Sequence, residues 1–137
     1  GKNVVVTPHA GEFKKMFGEA PPDSKKACIT MVEKFAKDHS ITILLKGPTD
    51  IISDGTKTYI TPTNTPGMTV GGTGDILSGI IAGMLARNRN ALESAVISAY
   101  FNGIAGKMTQ KKLGHHMTAT DLLDALPSVM KSFDKIK

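Results

Sequence analysis

The chain has 137 residues, enough for one ordinary domain, and its 40% hydrophobic and 21% charged content places it among globular chains rather than disordered ones. Its longest apolar runs, "ITILL" at 41–45 and "GIIAGMLA" at 79–86, fall far short of the ~20 residues a spanning helix needs, so no membrane span is expected. The net charge of +5 is carried by scattered basic pairs (Lys14 and Lys15, Lys25 and Lys26, Lys111 and Lys112) with no aromatic residues between them, which argues against nucleic-acid binding and leaves a mild attraction for small anions.

Taken in chain order, "NVVVT" at 3–7 is a β-branched run stopped by Pro8 and reads as a buried strand that delivers the loop "PHAG". The start lacks the basic and apolar regions of a secretory leader, so an intracellular, cytoplasmic location is expected, with the chain beginning close to mid-fold. Gly11 to Phe17 predicts a short helix with Phe13, Met16 and Phe17 on one face. After "APPDS", a helix is predicted from Ser24 to Asp38, since Ala27, Met31, Val32 and Phe35 recur at helical spacing. Cys28 is the single cysteine; it has no partner for a disulfide and reads as a small buried hydrophobe in a reducing compartment.

Strand "ITILLK" follows, and "PTDIISDGTKTYITP" predicts a hairpin from Asp50 to Ile60 about the turn-forming pair Asp54-Gly55. Thr61 to Gly74 is all turn formers and is expected to be a loop of functional length. Three helices close the chain: Gly74 to Arg87, Ala91 to Lys112, and a last one capped by Thr118 or Thr120 and broken near Pro127. The order implies one α/β domain with a mostly parallel sheet, whose site lies at the carboxyl ends of the strands, where Pro8-His9 and Lys46-Gly47 fall. Two central strands and a hairpin are few for a sheet covered on both faces, which implies either an unusually small domain or part of one.

The densest signal is "GMTVGGTGDILSGIIAGMLA", Gly67 to Ala86. Glycines without Cβ let successive backbone N–H groups turn inward on an anion, and a helix start adds free donors and a positive dipole end. Gly71, Gly72, Thr73 and Gly74 therefore predict an anion hole for a phosphate or a transferring phosphoryl group, to which Thr73 can add its hydroxyl. The spacing is neither that of a P-loop nor that of the dinucleotide fingerprint. Asp75 admits two readings: an acid stabilising the first turn of a helix by ~0.3–1 kcal/mol, or a base handling the proton of a hydroxyl that faces the phosphoryl group. His9 as an ordinary loop histidine and Lys46 as a solvated lysine stay open in the same way, although their shared sheet edge favours a site.

The runs "VVTPHAGEF", "ITILLKGPTDIISD", "NTPGMTVGGTGDILSGIIAGMLA", "ISAYFNGIAGKM" and "MTATDLLDALPSVM" together resemble the C-terminal half of the ADP- or ATP-dependent NAD(P)H-hydrate dehydratases, members of the ribokinase-like superfamily. The resemblance covers nearly the whole chain, and its "GGTGD" and "TPHxGE" elements are specific. It implies a three-layer α/β/α fold of which this chain is the C-terminal part. It also implies repair of the S epimer of hydrated NADH or NADPH through phosphorylation of the hydrate hydroxyl and loss of the phosphate. ADP or ATP would be the co-substrate, accompanied by Mg2+, with no metal ligand assigned in this chain. By matching motif, His9 and Asp75 would bind the hydrate, Asp75 would be the catalytic acid/base, and Lys46, Gly47, Pro48, Thr49, Asp50 and Gly74 would line the nucleotide site, with the polyphosphate along Thr69 to Gly74. The implied partners are the hydrate, the adenine nucleotide, and an N-terminal half or a second copy. Two alternatives remain: a ribokinase-like kinase of a hydroxyethylthiazole or hydroxymethylpyrimidine alcohol, in which Asn commonly replaces His9 and Cys often replaces Asp75, and a non-catalytic nucleotide-binding fragment.

Overall fold

Every residue of β2 (Thr42–Leu45) is buried, because helices cover both faces of the sheet at this strand. Strand periodicity divides its side chains. Ile43 and Leu45 pack with Phe13, Val32 and Phe35 on one face, and Leu44 packs with Ile52, Leu77, Ile81, Ala95 and Ala99 on the other. The computed structural model describes residues 3–61, 65–87 and 90–134. Around β2 stand β1 (Val5–Val6), α1 (Ala10–Phe17), α2 (Lys25–His39), β3 (Asp50–Ser53), β4 (Thr58–Thr61), α3 (Thr73–Ala86), α4 (Ala91–Leu113) and α5 (Ala119–Lys131), with 3-10 turns at Pro66–Thr69 and Gly114–His116. The first two helices form one layer over the sheet, and α3 and α4 form the other. A third cluster, centred on Phe101, Met117, Leu122 and Leu126, fastens α5 to α4. The expected three-layer α/β/α arrangement is present, and Cys28 is buried within the first cluster, where desolvation pushes its thiol up.

The sheet runs β1-β2-β3-β4, and its directions correct the expected mostly parallel sheet for these residues: β1 and β2 are parallel, but β2–β3 and β3–β4 are antiparallel. The hairpin about Asp54-Gly55 forms as expected, with Asp54 Oδ1 accepting from Thr56 N and Lys57 N at 2.8 Å each. A second hairpin, unforeseen, joins β2 to β3 through "KGPT", where Gly47 N donates to Asp50 Oδ1 at 3.1 Å. Pro8 does not end the pairing of the first strand. Lys46 N donates to Pro8 O at 2.8 Å, and a parallel bridge joins His9 to Lys46. Proline lacks only the donor, so its carbonyl still serves the ladder.

Helix boundaries fall within a residue or two of expectation, with one correction. Helix α5 is capped at Thr118, as one of the two expected positions, but runs through Pro127 to Lys131. The carbonyl that Pro127 leaves without a helical donor belongs to Leu123, a residue 53% exposed, where water can take the place of that bond, while Leu126 and Val129 hold the helix to the core.

Candidate functional site

The motif segments converge at the carboxyl ends of β1 and β2. Helix α1 begins at Ala10 because His9 caps it: its Nδ1 accepts from Gly11 N at 3.0 Å and from Glu12 N at 3.2 Å. Glu12 completes the box, its Oε2 accepting from His9 N at 2.8 Å. Two backbone donors on Nδ1 assign that nitrogen as the unprotonated one and leave the proton on Nε2, which lies 3.5 Å from Glu12 Oε1. Glu12 Oε2 also lies 3.5 Å from Lys46 Nζ, so one carboxylate steadies the loop histidine and the strand-end lysine together. The His9 backbone N–H, helped by Lys46, holds the Glu12 carboxyl below the ordinary carboxylate range against a smaller opposing push from desolvation.

Facing this corner is the start of α3. Gly72 is its N-cap at φ +94°, left-handed backbone that favours glycine, and a Cβ there would also come within 2.9 Å of Ala119 Cβ. The first intrahelical bond runs from Ile76 N to Gly72 O, so the N–H groups of Thr73, Gly74 and Asp75 have no partner within the helix. Lys46 Nζ sits only 3.2 Å from where a Gly74 Cβ would be, which places the ammonium directly against these donors. Thr73 differs from expectation in one respect. Its hydroxyl is committed to the carbonyls of Met68 at 2.7 Å and Val70 at 3.0 Å, where it shapes the loop, so only its backbone N–H is left for an anion. Asp75 is exposed in the first turn and makes no hydrogen bond or ion pair among the described residues.

These groups border one cleft of about 610 Å³. His9, Lys46, Gly47, Pro48, Asp50, Gly71, Gly72, Thr73, Gly74 and Asp75 all line it. Thr49 does not; it lies within the tight turn, where its carbonyl packs over Gly47. Asp50 is buried, with Oδ1 on Gly47 N, so its carboxylate braces the turn. Sequence reasoning overlooked Glu12 at the rim and Thr65, Pro66, Met68, Leu77 and Asn102 in the lining. Glu12 carried a signal in the three-residue capping-box spacing from His9. Asn102 carried a weaker one as a polar residue within the small and apolar run "SAYFNGIAG".

Known proteins match the chain in both sequence and fold. The sequence profile of the NAD(P)H-hydrate dehydratase family (Carb_kinase) matches residues 1–128. The chain is 60% identical over its whole length to the ADP-dependent (S)-NAD(P)H-hydrate dehydratase of Cenarchaeum symbiosum, covering 48% of that protein. It is 61% identical over 135 residues to the enzyme of the same name from Nitrosopumilus maritimus, covering 47% of it. Its fold superposes on the ADP/ATP-dependent NAD(P)H-hydrate dehydratase of Bacillus subtilis co-crystallised with ATP/Mg2+ with a TM-score of 0.87 at 30% identity, over 96% of this chain and 48% of that one. The chain thus spans about half the length of the curated relatives it matches. With a ribokinase-like α/β fold and a family profile matched over nearly its full length, it belongs to the NAD(P)H-hydrate dehydratase family.

Proposed function

We propose that this chain supplies the phosphoryl-transfer half of an ADP-dependent dehydratase that returns (6S)-hydrated NADH or NADPH to the intact dinucleotide. The observation that carries the reading is the meeting, in one cleft, of a carboxylate at Asp75 that is unpaired among the described residues, the backbone donors at the start of α3 that lack a partner within the helix, and Lys46 against Gly74. ADP is favoured as donor because the relatives from Cenarchaeum symbiosum and Nitrosopumilus maritimus are ADP-dependent, and the Bacillus subtilis protein was crystallised with ATP/Mg2+.

In this scheme Lys46 and the N–H groups of Gly71 to Gly74 hold the transferring phosphoryl oxygens. Asp75 takes the proton of the hydrate hydroxyl as its oxygen bonds to phosphorus and AMP leaves. The carbon–oxygen bond of the new ester then breaks to release inorganic phosphate, and the adjacent ring carbon gives up a proton to solvent, which restores the ring double bond. His9 presents its Nε2–H to the hydrated dinucleotide, held in place by its cap bonds and by Glu12. Mg2+ would travel with the nucleotide and neutralise phosphate charge. Among the described residues no three His, Cys, Asp or Glu side chains gather into a cage, whereas Mg2+ commonly binds through one or two carboxylates with phosphate oxygens, and Asp50 and Asp75 are the carboxylates lining the cleft. Incubation of the intact protein with hydrated NADH and ADP, followed by NADH absorbance and AMP release, tests the scheme. Stoichiometric NADH and AMP are expected, and consumption of ADP without NADH would overturn the dehydratase reading in favour of a simple kinase.

A further inference from the structure

Asn102 on α4 is only 5% exposed, lines the cleft, and leaves its Oδ1 with no hydrogen-bond partner among the described residues. A buried amide carbonyl left bare costs on the order of 1–3 kcal/mol, so such a group in a cleft points to a ligand that satisfies it. A second orphan lies in the same lining: Thr65 Oγ1 is also buried and unpartnered among the described residues. Around the two the lining turns apolar, with Pro66, Met68 and Leu77. The packing that sets this wall is tight. One turn beyond Asn102, a Cβ on Gly106 would come within 2.7 Å of Met68 Cγ, so the absence of a side chain there seats Met68 and fixes the 3-10 turn Pro66–Thr69 against α4.

An apolar wall with one amide on it suits a flat heterocycle carrying adjacent donor and acceptor atoms. An asparagine amide offers one N–H donor edge and one carbonyl acceptor and can turn about its terminal bond to present both. That pair complements the 6-amino group and a neighbouring ring nitrogen of adenine, the same match by which asparagine selects adenine in nucleic acids. With N7 as that ring nitrogen, a 6-oxo purine presents two acceptors, O6 and N7, so whichever way the amide turns its carbonyl meets an acceptor.

We infer that Asn102 is the specificity residue for the nucleotide base, reading the 6-amino edge of the purine from α4 while Pro66 and Met68 cover its face. The inference rests on the proposed nucleotide site and assigns its base pocket.

The test compares ADP with IDP, which differ at that purine edge alone, by calorimetry on the intact protein and on its Asn102→Leu variant. Leucine has similar volume, keeps the helix and removes the orphan carbonyl, so the ligand-free variant is expected to melt no lower than the parent. The parent should prefer ADP over IDP by roughly ten- to a hundredfold, the worth of one bidentate base contact. In Asn102→Leu the ADP affinity should fall by that factor, the IDP affinity should hold, and the preference should vanish. A preference that survives the substitution, a parent without preference, or an equal loss for both nucleotides would overturn the inference while leaving the nucleotide site standing. Absence of any binding by the parent would overturn both. A variant that melts well below the parent is replaced by Asn102→Ser, which keeps a polar group too short to reach both base atoms and must show the same loss of preference.

Discussion

Asp75 and Glu12 are acids at the same cleft, yet only Glu12 has its carboxylate engaged, and that difference separates chemistry from support. Asp75 sits in the first turn of α3 without a bonding partner among the described residues, so Asp75→Asn forfeits only its interaction with the helix dipole, ~0.3–1 kcal/mol. The neutral amide cannot take a hydroxyl proton. Hydrate-dependent turnover of the intact protein should fall by ~10²- to 10⁴-fold while ADP binding holds or tightens. Turnover within about threefold of the parent, well inside that range, would reduce Asp75 to a helix-terminus acid. Glu12 behaves oppositely. Its folded-state value is depressed, so its bonded carboxylate adds stability at pH above the unfolded glutamate value, and that contribution is lost as pH falls through the folded one. Thermal melts of parent and Glu12→Gln should therefore differ at neutral pH and converge in acid below the ordinary glutamate range; because the side chain is 46% exposed, the difference should be small. A constant difference across that range would remove Glu12 from the acid response.

At the scale of elements, the β3–β4 hairpin shows what a short sequence can specify. Gly55 has φ +84°, and a Cβ there would come within 2.6 Å of the backbone of Lys37 at the end of α2, so neither conformation nor space admits a side chain. Gly55→Ala should cost more than about 1–2 kcal/mol from the left-handed backbone alone. Denaturant melts would show it, and with the cleft distant from this turn, ADP affinity of the folded fraction should be unchanged. Asp54-Gly55 was legible because turn chemistry is local. The antiparallel β2–β3 connection was not: "KGPT" carries no two-residue hairpin signal, and an apolar run records burial but not strand direction. Pro127 misled for a related reason, since a proline's cost depends on whether the freed carbonyl meets water, a tertiary fact. The site divided along the same line. "PHAGE", "KG" and "GGTGD" were readable because glycines, a cap and charges act through adjacent backbone. Asn102, Pro66 and Met68 entered the cleft only through the packing of α4 against the Pro66–Thr69 turn, which no local spacing encodes.

For the molecule as a whole, the open edge of the sheet decides behaviour in solution. Among the described residues β1 pairs only with β2, and Val4 beside it is 42% exposed. The neighbouring surface of α3 presents Gly79 and Gly83 with nothing packed against them among the described residues. An unpaired strand flanked by a smooth helix face is a template for further pairing, and relatives about twice as long have additional chain to place there. The 137 residues produced alone should therefore self-associate as concentration rises, and Val4→Lys, a charge on the open edge, should shift sedimentation toward monomer. The opposite edge supplies the control. Ile60 on β4 is 39% exposed, so Ile60→Lys should leave the association unchanged if β1 is the adhesive strand. Suppression by Ile60→Lys instead would move the interface to β4. A monodisperse, cooperatively melting monomer would show that these residues close their own sheet edge.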